Sequence, residues 1–211
     1  MKEFWDKRYG EKEMAYGEEP NNFFATQISK LQTGNLLLPA EGEGRNAIYS
    51  AKLGWDVYAF DISIEGKIKA ELMALKSNVV IDYKVGGFDK VIYEKNSFDC
   101  IGLIFAHFPK HLKSEYHKRL DVYLKKDGIV ILEGFSKKQL EYNSKNPKAG
   151  GPKNVDMLFS IEEIKQDFGN YEIIELSENE IILNEGAYHN GKESYFGSSR
   201  KISSEREMEL K

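Results

Sequence analysis

One stretch of the sequence, residues 35–63, sets the strongest limit on how this chain can fold. It begins with a block of three leucines, which is typical of a strand buried on both faces. Gly42 and Gly44 then allow a sharp turn and a close approach of the backbone to a ligand. An amphipathic helical pattern follows, and a second strand pattern ends at Asp61. Nucleotide-binding βαβ units place an acid about 20 residues after such a turn, where it binds ribose hydroxyls, so the stretch predicts a nucleoside site.

The residues after this turn distinguish between two cofactors. The NAD fingerprint has a further glycine, which lets the helix pack closely and meet a pyrophosphate, whereas Arg45 and Asn46 follow the turn here. The spacing A-x-G-x-G from Ala40, with GEGRNA at residues 42–47, is similar to motif I of class I S-adenosylmethionine-dependent methyltransferases. It resembles in particular their tellurite-resistance and thiopurine methyltransferase branch. Two positions depart from that motif, because Leu38 replaces the acid that ends the first strand and Ala40 replaces the first glycine.

The resemblance extends over nearly the whole chain, from Phe4 to about Ile202, and is carried by an ordered set of short motifs. These are GEGRNA, Asp61, SFD, AHFP and KKDG. It implies an α/β three-layer sandwich of the Rossmann-like class I type, with a mainly parallel sheet of about seven strands, the last antiparallel. Alternating strand and helix patterns independently predict such a sandwich. The length predicts a single domain over residues 1–211, and the charged residues from about 203 to 211 predict a frayed tail. The resemblance implies that residues 1–20 form an N-terminal lid segment.

The N-terminal segment contains aromatic residues with two alternative roles. In the branch that the chain resembles, the segment that matches FWDKRYG and AYGEEPN lies over the cofactor and closes the site. The resemblance therefore places Trp5 and Tyr9 at the cofactor and makes Tyr16 a catalytic candidate, since aromatic faces attract a desolvated sulfonium cation. Alternatively, these rings only dock a terminal helix on the body, because a spacing of four places Trp5 and Tyr9 on one helix face.

Further cofactor contacts follow from the same resemblance. Arg45 is a partner for the methionine carboxylate, Ile62 and Phe88 enclose the adenine, and backbone groups of Gly87 and Phe88 lie near its amine. Asp89 is an alternative to these backbone groups. The implied cofactor is S-adenosyl-L-methionine, with S-adenosyl-L-homocysteine as product. The cofactor-binding candidates are Trp5, Tyr9, Ala40, Gly42, Gly44, Arg45, Asp61, Ile62, Gly87, Phe88, Phe105 and Ala106.

A histidine follows the fourth predicted strand, residues 98–105, at the sheet edge where ligands bind. His107 is the best-placed titratable group in the sequence, and its unperturbed pKa of about 6.5 suits proton transfer from an attacking nucleophile. The alternative is a ring that hydrogen-bonds the backbone and shapes the pocket. His111 lies four residues on, but Pro109 begins a helix between them and no third ligand is evident, so no metal site is predicted.

The rest of the chain supplies further elements and candidate residues. Helices are predicted over residues 20–32, 63–77, 109–126 and 160–168. Strands are predicted over residues 78–85, 129–132, 171–176 and 180–183. The helix over 63–77 carries an apolar stripe of Ile64, Ile68, Leu72 and Leu75. Residues 136–155 are predicted to form a flexible loop. Glu133 is placed at the ligand edge, and the later residues Glu185, Tyr188 and His189 face the substrate or stabilise a turn.

Composition excludes several classes of protein. The longest apolar runs fall well short of the ~18 residues that a membrane span requires, and no signal-peptide pattern is present, so we expect a cytoplasmic protein. Cys100 is the single cysteine, which excludes an internal disulfide framework and fits a small core residue. A net charge of −4 argues against nucleic-acid binding. The sequence leaves a monomer and a homodimer open.

Together these features predict a methyltransferase that moves a methyl group directly to a small-molecule acceptor. A soft sulfur, selenium or tellurium nucleophile is favoured, because it requires no strong base and few catalytic acids or bases are evident. Two alternatives remain open at this stage. One is a non-catalytic S-adenosylmethionine sensor or scaffold, and the other is an NAD-dependent oxidoreductase.

Overall fold

The computed structural model describes residues 1–146 and 149–201. The helices are α1 (Lys2–Tyr9), α2 (Asn22–Ile28), α3 (Arg45–Lys52), α4 (Ile64–Ser77), α5 (Lys110–Asp121), α6 (Gln139–Lys145) and α7 (Ile161–Asp167), and a 3₁₀ turn covers Val155–Met157. The strands are β1 (Asn35–Pro39), β2 (Asp56–Asp61), β3 (Asp82–Val85), β4 (Phe98–Ile104), β5 (Leu124–Phe135), β6 (Glu172–Glu185) and β7 (His189–Lys201).

The strands form a seven-stranded sheet in the order β3-β2-β1-β4-β5-β7-β6. The five strands from β3 to β5 run parallel, and β7 pairs antiparallel with both β5 and β6. The predicted α/β fold with an antiparallel last strand is therefore confirmed. Successive strands are added towards one side of the sheet from β1 to β3 and towards the other side from β4 onwards, so the strand order reverses between β1 and β4. Ligands of such sheets bind at the carboxyl ends of the strands at this point.

Two apolar clusters cover the two faces of the sheet, as strand alternation requires. Leu36 and Leu38 belong to the cluster that contains residues of α2, α3 and α4. Leu37 belongs to the opposite cluster, which contains residues of α5 and α7. The three layers of the sandwich therefore follow from alternation within one short strand.

The structure corrects the predicted packing of α4. Its buried residues are Gly66, Ala70 and Ala74. The predicted stripe of Ile64, Ile68, Leu72 and Leu75 is 41–78 % exposed. Small residues face inward because α4 lies very close to the start of α3: a Cβ added to Gly44 would stand 2.6 Å from the Cβ of Ala70. The expected cap is confirmed, since the Ser63 hydroxyl accepts a hydrogen bond from the Gly66 amide.

A second correction concerns the boundary after α5. The predicted helix over 109–126 was too long, because α5 ends at Asp121 and β5 begins at Leu124. The Nζ atom of Lys125 lies 2.8 Å from an Asp99 carboxylate oxygen on β4, so pairing between these strands outweighs the helical pattern. Lys125, Lys126 and the predicted helix end at Gly128 are all strand residues.

Other boundaries differ less. The helix predicted over 20–32 covers Asn22–Ile28, the third strand covers Asp82–Val85, and β6 is continuous where two segments were predicted. The segment predicted as a loop over 136–155 contains α6, and the capping box of Ser160 and Glu163 at α7 is confirmed. The predicted tail at 203–211 lies outside the described residues. No helix in the described ranges is long and apolar enough to cross a membrane.

Candidate cofactor and acceptor site

The turn after β1 has the backbone conformation that its glycines predict. Ala40, Gly42 and Gly44 have φ angles of 54°, 64° and 87°, in the left-handed region. A Cβ added to Gly42 would stand 2.6 Å from the Tyr9 hydroxyl oxygen, so this glycine also permits a close approach by the N-terminal segment. Ala40 occupies a conformation that strains an L-residue with a side chain.

Glu41 takes part in holding the turn to the start of α3. Its Oε1 accepts a hydrogen bond of 2.8 Å from the Ala47 amide, and its Oε2 lies 3.4 Å from the Asn46 side-chain nitrogen. Burial raises the pKa of Glu41 to about 7, and these bonds oppose the rise. Leu38, which replaces the usual acid, is completely buried and belongs to the core.

Asp61 joins the ends of β1 and β2. One carboxylate oxygen accepts a hydrogen bond of 3.2 Å from the Gly42 amide, and the other accepts one of 2.8 Å from the Ser63 amide. Burial raises the pKa of Asp61 to about 6, while its backbone hydrogen bonds favour the ionised form. The acid therefore lies directly beside the glycine turn, at the position where nucleoside sites hold a ribose.

The N-terminal helix α1 packs over this turn. An Asp6 carboxylate oxygen accepts hydrogen bonds from the Ser63 hydroxyl (2.7 Å) and the Ile64 amide (3.1 Å), which fixes α1 to the start of α4. Tyr9 is buried against Gly42 and stacks on Trp5, with ring centroids 5.2 Å apart. The structure therefore brings Tyr9 to the glycine turn, and Trp5 stacks on the Tyr9 ring.

The region predicted to hold adenine is only partly assembled. A Cβ added to Gly87 would stand 3.6 Å from the Ile62 side chain, so these two residues are neighbours beyond β2 and β3. The Phe88 ring, by contrast, stacks on Tyr116 at 4.4 Å and is 3 % exposed. Phe88 is thus a core residue in this structure, and its ring face already has a partner.

His107 is held by both of its ring nitrogens. Its Nδ1 lies 2.8 Å from the Met157 carbonyl oxygen, and the Phe135 amide donates to its Nε2 over 3.1 Å. These partners require a neutral ring with the proton on Nδ1. Burial lowers the pKa of His107 to about 4. Neither nitrogen is free to accept a proton, so the geometry supports the alternative interpretation, a ring that ties the end of β4 to β5.

Arg45 forms a buried ion pair with the end of β6. Its Nη2 lies 2.8 Å from a Glu185 carboxylate oxygen, and its Nη1 donates to the Tyr16 carbonyl over 3.0 Å. Asn21 donates to the other Glu185 oxygen over 3.3 Å, and His189 Nδ1 lies 3.2 Å from the first. The hydrogen bonds and charges of His189 and Arg45 lower the pKa of Glu185 to about 2 despite its burial. Arg45, predicted to bind the methionine carboxylate, thus already has a carboxylate partner within the chain.

Aromatic rings surround this ion pair. The His189 ring lies 4.4 Å from Tyr16 and 4.7 Å from Phe105. Phe105, whose φ of 51° is left-handed, also packs against Phe135 at 4.7 Å. Of the predicted catalytic pair, Tyr16 therefore lies in this cluster, where its hydroxyl accepts a hydrogen bond of 3.0 Å from Arg8. Ala106, which follows Phe105, is buried in the core.

Sequence reasoning missed Asn21 and Phe135, and left the roles of Glu133 and Glu185 open. Glu133 is 2 % exposed at the end of β5, and its Oε2 has no hydrogen-bond partner in the part of the chain that the structure describes. Burial raises the pKa of Glu133 to about 8. No local pattern could have paired Arg45 with Glu185, because these residues lie 140 positions apart.

The fold and this edge of the sheet define a Rossmann-like α/β protein with a crevice for a nucleoside cofactor. The chemistry of the residues fits S-adenosylmethionine. The Asp61 carboxylate, beside the left-handed glycine turn, can accept ribose hydroxyls, and the Tyr9 ring that lies against Gly42 can face a sulfonium cation. Because Tyr9 lies against Gly42, its ring borders any ligand at this turn.

Comparison with known proteins identifies the activity. Residues 37–132 match the family model described as a methyltransferase domain. No curated protein matches the sequence significantly. The matched segment spans less than half of the chain. It supports a methyltransferase enzyme, with S-adenosylmethionine as its cofactor.

Solved structures of low sequence identity share the fold. One of these structures comes from a study of the conversion of a disulfide bond into a thioacetal group during echinomycin biosynthesis. It is 16% identical to this chain, with a TM-score of 0.77, and the match covers 98% of this chain and 94% of that one. TehB from Haemophilus influenzae is 16% identical with a TM-score of 0.69, covering 95% and 66%. A S-adenosylmethionine-dependent methyltransferase from Anabaena variabilis is 17% identical with a TM-score of 0.66, covering 95% and 93%.

Proposed function

We propose that this enzyme transfers a methyl group in line to a small-molecule acceptor with a soft nucleophilic atom, sulfur or its heavier relatives selenium and tellurium. The observation that carries the proposal is the state of His107, whose two nitrogens are both bound to the backbone. Without a free histidine at the sheet edge, the site suits a nucleophile that makes little demand on a base. The echinomycin study names a disulfide bond as the group converted, so sulfur chemistry occurs on a similar fold.

The chain's residues have two tasks in this proposal. Gly42, Gly44 and Asp61 bind the cofactor, which supplies a methyl group on an activated sulfonium sulfur. Residues 1–20 act as a lid, with Trp5 and Tyr9 covering the glycine turn and Tyr16 bordering the acceptor. Holding donor and acceptor in line and excluding water then supplies most of the rate acceleration.

A small acceptor is supported by the burial of the groups around it. Glu133 and His189 are 2 % and 4 % exposed, so no large surface of a macromolecule could reach them. We further propose a cytoplasmic enzyme that acts as a single domain, is a monomer or homodimer, and binds no nucleic acid. The resemblance to the tellurite-resistance and thiopurine branch belongs to this proposal as well.

The test is a turnover assay with small thiols, selenite and tellurite, in which methylated products are detected by mass spectrometry. We expect S-adenosylhomocysteine to form in step with a methylated acceptor. A matched assay with Asp61→Ala should show a raised KM for S-adenosylmethionine. Tight cofactor binding without a product from any of these acceptors would contradict the proposed acceptor class and favour a sensor.

A further inference from the structure

One buried acid at the ligand edge has no assigned task. Glu133 lies at the end of β5, next to Ile104 of β4 in the sheet register. Its side chain lies on the same face of β5 as Ile131, since residues two apart on a strand share a face. Ile131 belongs to the cluster with α2 and α3, so Glu133 faces the layer that contains the glycine turn and Arg45.

The groups that face Glu133 compensate its charge only in part. They are Glu185 from β6, Arg45 from α3 and Asn21 at the start of α2. Arg45 is already paired with Glu185 at 2.8 Å, and the Asn21 backbone and side chain hold Asn46 and Glu185. The Oε2 atom of Glu133 has no hydrogen-bond partner among the described residues, although it is fully buried. An orphaned oxygen of this kind is costly unless a ligand or proton satisfies it.

Aromatic residues lie near Glu133 on the same face of the sheet. Phe135 shares the face of Glu133 on β5, and its ring packs against Phe105 and His189 at 4.7 Å and 5.2 Å. The Phe105 amide donates a hydrogen bond of 2.7 Å to the Glu133 carbonyl. Aromatic rings of this kind suit an apolar or sulfur-bearing group, and the neighbouring carboxyls disfavour an anion.

We propose that Glu133 accepts the proton of a thiol or selenol acceptor, which therefore reaches the site uncharged rather than as an anion. This inference rests on the proposed function and narrows its acceptor class. A hydrogen bond from the acceptor's S–H would occupy the orphaned Oε2, and oxyanions such as tellurite and selenite, which carry negative charge towards Glu133 and Glu185, are excluded as direct acceptors.

The transfer is balanced with Glu133 as the only added base. A bond forms between the acceptor sulfur and the methyl carbon, and the bond from that carbon to the cofactor sulfur breaks. The breaking bond leaves its electron pair on the cofactor sulfur, and the S–H proton moves to Glu133 Oε2. Glu133 then loses this proton to solvent after product release, so no oxidant, reductant or metal is required.

Glu133 must be ionised before it can accept a proton. Burial, together with the Glu185 charge, raises the pKa of Glu133 to about 8, whereas Asn21 and Arg45 oppose this rise. A sulfonium cation in the crevice would favour the carboxylate, because an opposite charge nearby lowers the pKa of an acid. Cofactor binding thus favours the ionised base, whereas S-adenosylhomocysteine, which lacks the sulfonium charge, does not.

The test measures proton release on binding and needs no turnover. Calorimetric titrations of the whole protein with S-adenosylmethionine and S-adenosylhomocysteine, each in buffers of different ionisation enthalpy at pH 7.5, give the protons released by each ligand. We expect S-adenosylmethionine to release roughly half a proton more than S-adenosylhomocysteine. This difference should vanish in Glu133→Gln and persist in Glu41→Gln, which removes another buried acid of raised pKa.

The outcomes separate this inference from the proposed function. Equal proton release by the two ligands in the wild type, or a difference that persists in Glu133→Gln, would overturn the role of Glu133. Loss of the difference only in Glu41→Gln would assign the proton to Glu41 and overturn it too. Methylation of tellurite but not of thiols would overturn the uncharged acceptor while leaving methyl transfer intact. Thermal unfolding of each variant confirms that it is folded.

Discussion

Buried acids are held in different ways on the two sides of the sheet edge where ligands are expected to bind, the proposed cofactor side and the proposed acceptor side. On the cofactor side, Asp61 and Glu41 accept hydrogen bonds from backbone amides within about 20 residues of themselves. On the proposed acceptor side, Glu185 depends on Arg45 and Asn21, both more than a hundred residues away, and one Glu133 oxygen has no hydrogen-bond partner among the described residues. Contacts between residues close in sequence therefore determine the proposed cofactor side. The proposed acceptor side forms only when β5, β6 and the N-terminal segment pack together.

On the proposed acceptor side, the hydrogen-bond and charge partners of a buried acid can affect its pKa more than burial does. Glu133 and Glu185 are near neighbours in the same cluster, but the pKa of Glu133 is about 8 and that of Glu185 is about 2. The difference comes mainly from His189 and Arg45, which both contact Glu185 and lower its pKa. Pairs of acids whose environments separate their pKa values in this way are typical of catalytic sites.

The largest expected effect comes from removing the long-range ion pair. Glu185→Ala leaves Arg45 buried without its carboxylate, and we expect a loss of about 3–5 kcal/mol in the free energy of unfolding. Urea denaturation measures this change. The exposed Glu175 on the same strand is the control, and Glu175→Ala should change stability by less than about 0.5 kcal/mol. Equal effects from the two variants would show that the acceptor side does not depend on this pair.

The glycine turn can be broken by a single methyl group. Gly44→Ala places a Cβ 2.6 Å from the Cβ of Ala70 at a φ of 87°, so strain and overlap together should cost about 2–4 kcal/mol. Gly54→Ala is the matched control, because Gly54 has a φ of 95° but no atom within 4 Å of an added Cβ. It should cost about 1 kcal/mol, from backbone strain alone. Denaturation midpoints compare the two, and equal costs would rule out close packing at Gly44.

The buried carboxyl of Glu133 should make the free energy of unfolding depend on pH. Between an ordinary glutamate pKa and its own value of about 8, Glu133 binds more protons in the folded than in the unfolded state, so stability falls as pH rises. His107 contributes in the opposite sense only below about pH 6.5, where its unfolded ring is protonated. From pH 6.5 to 8.5, Glu133→Gln should therefore remove about 1–2 kcal/mol of this fall. Parallel stability curves for the wild type and the variant would contradict the raised pKa.

The smallest expected effect is a gain. Ala40 has a φ of 54° where the class I motif has glycine, and Ala40→Gly should relieve strain and raise stability by about 0.5–1 kcal/mol. Thermal unfolding detects this as a higher Tm. A lower Tm would mean that the Ala40 methyl contributes more through its packing against the core than it costs in strain.

The fold and the cofactor side were accessible from the sequence for the same physical reason. The apolar block of β1, the turn at Gly42 and the acid at Asp61 are local patterns, and local backbone preferences decide their structure. Predictions failed where contacts between residues distant in sequence determine which residues are buried. The α4 stripe is exposed because the close approach of Gly44 selects Ala70 for the buried face. On the proposed acceptor side, the sequence predicted only separate candidate residues. No sequence pattern indicates that Arg45 pairs with Glu185, or that the rings of Phe135 and His189 pack together nearby.

Cofactor binding at the glycine turn is the central claim, and calorimetric titration tests it most directly. We expect S-adenosylmethionine and S-adenosylhomocysteine to bind the wild-type protein, and NAD not to bind. Asp61→Ala should weaken binding of both by about 1–3 kcal/mol, the loss of a hydrogen bond to a charged group. Unchanged affinity in Asp61→Ala, or binding of NAD in place of S-adenosylmethionine, would contradict the cofactor site described for this enzyme.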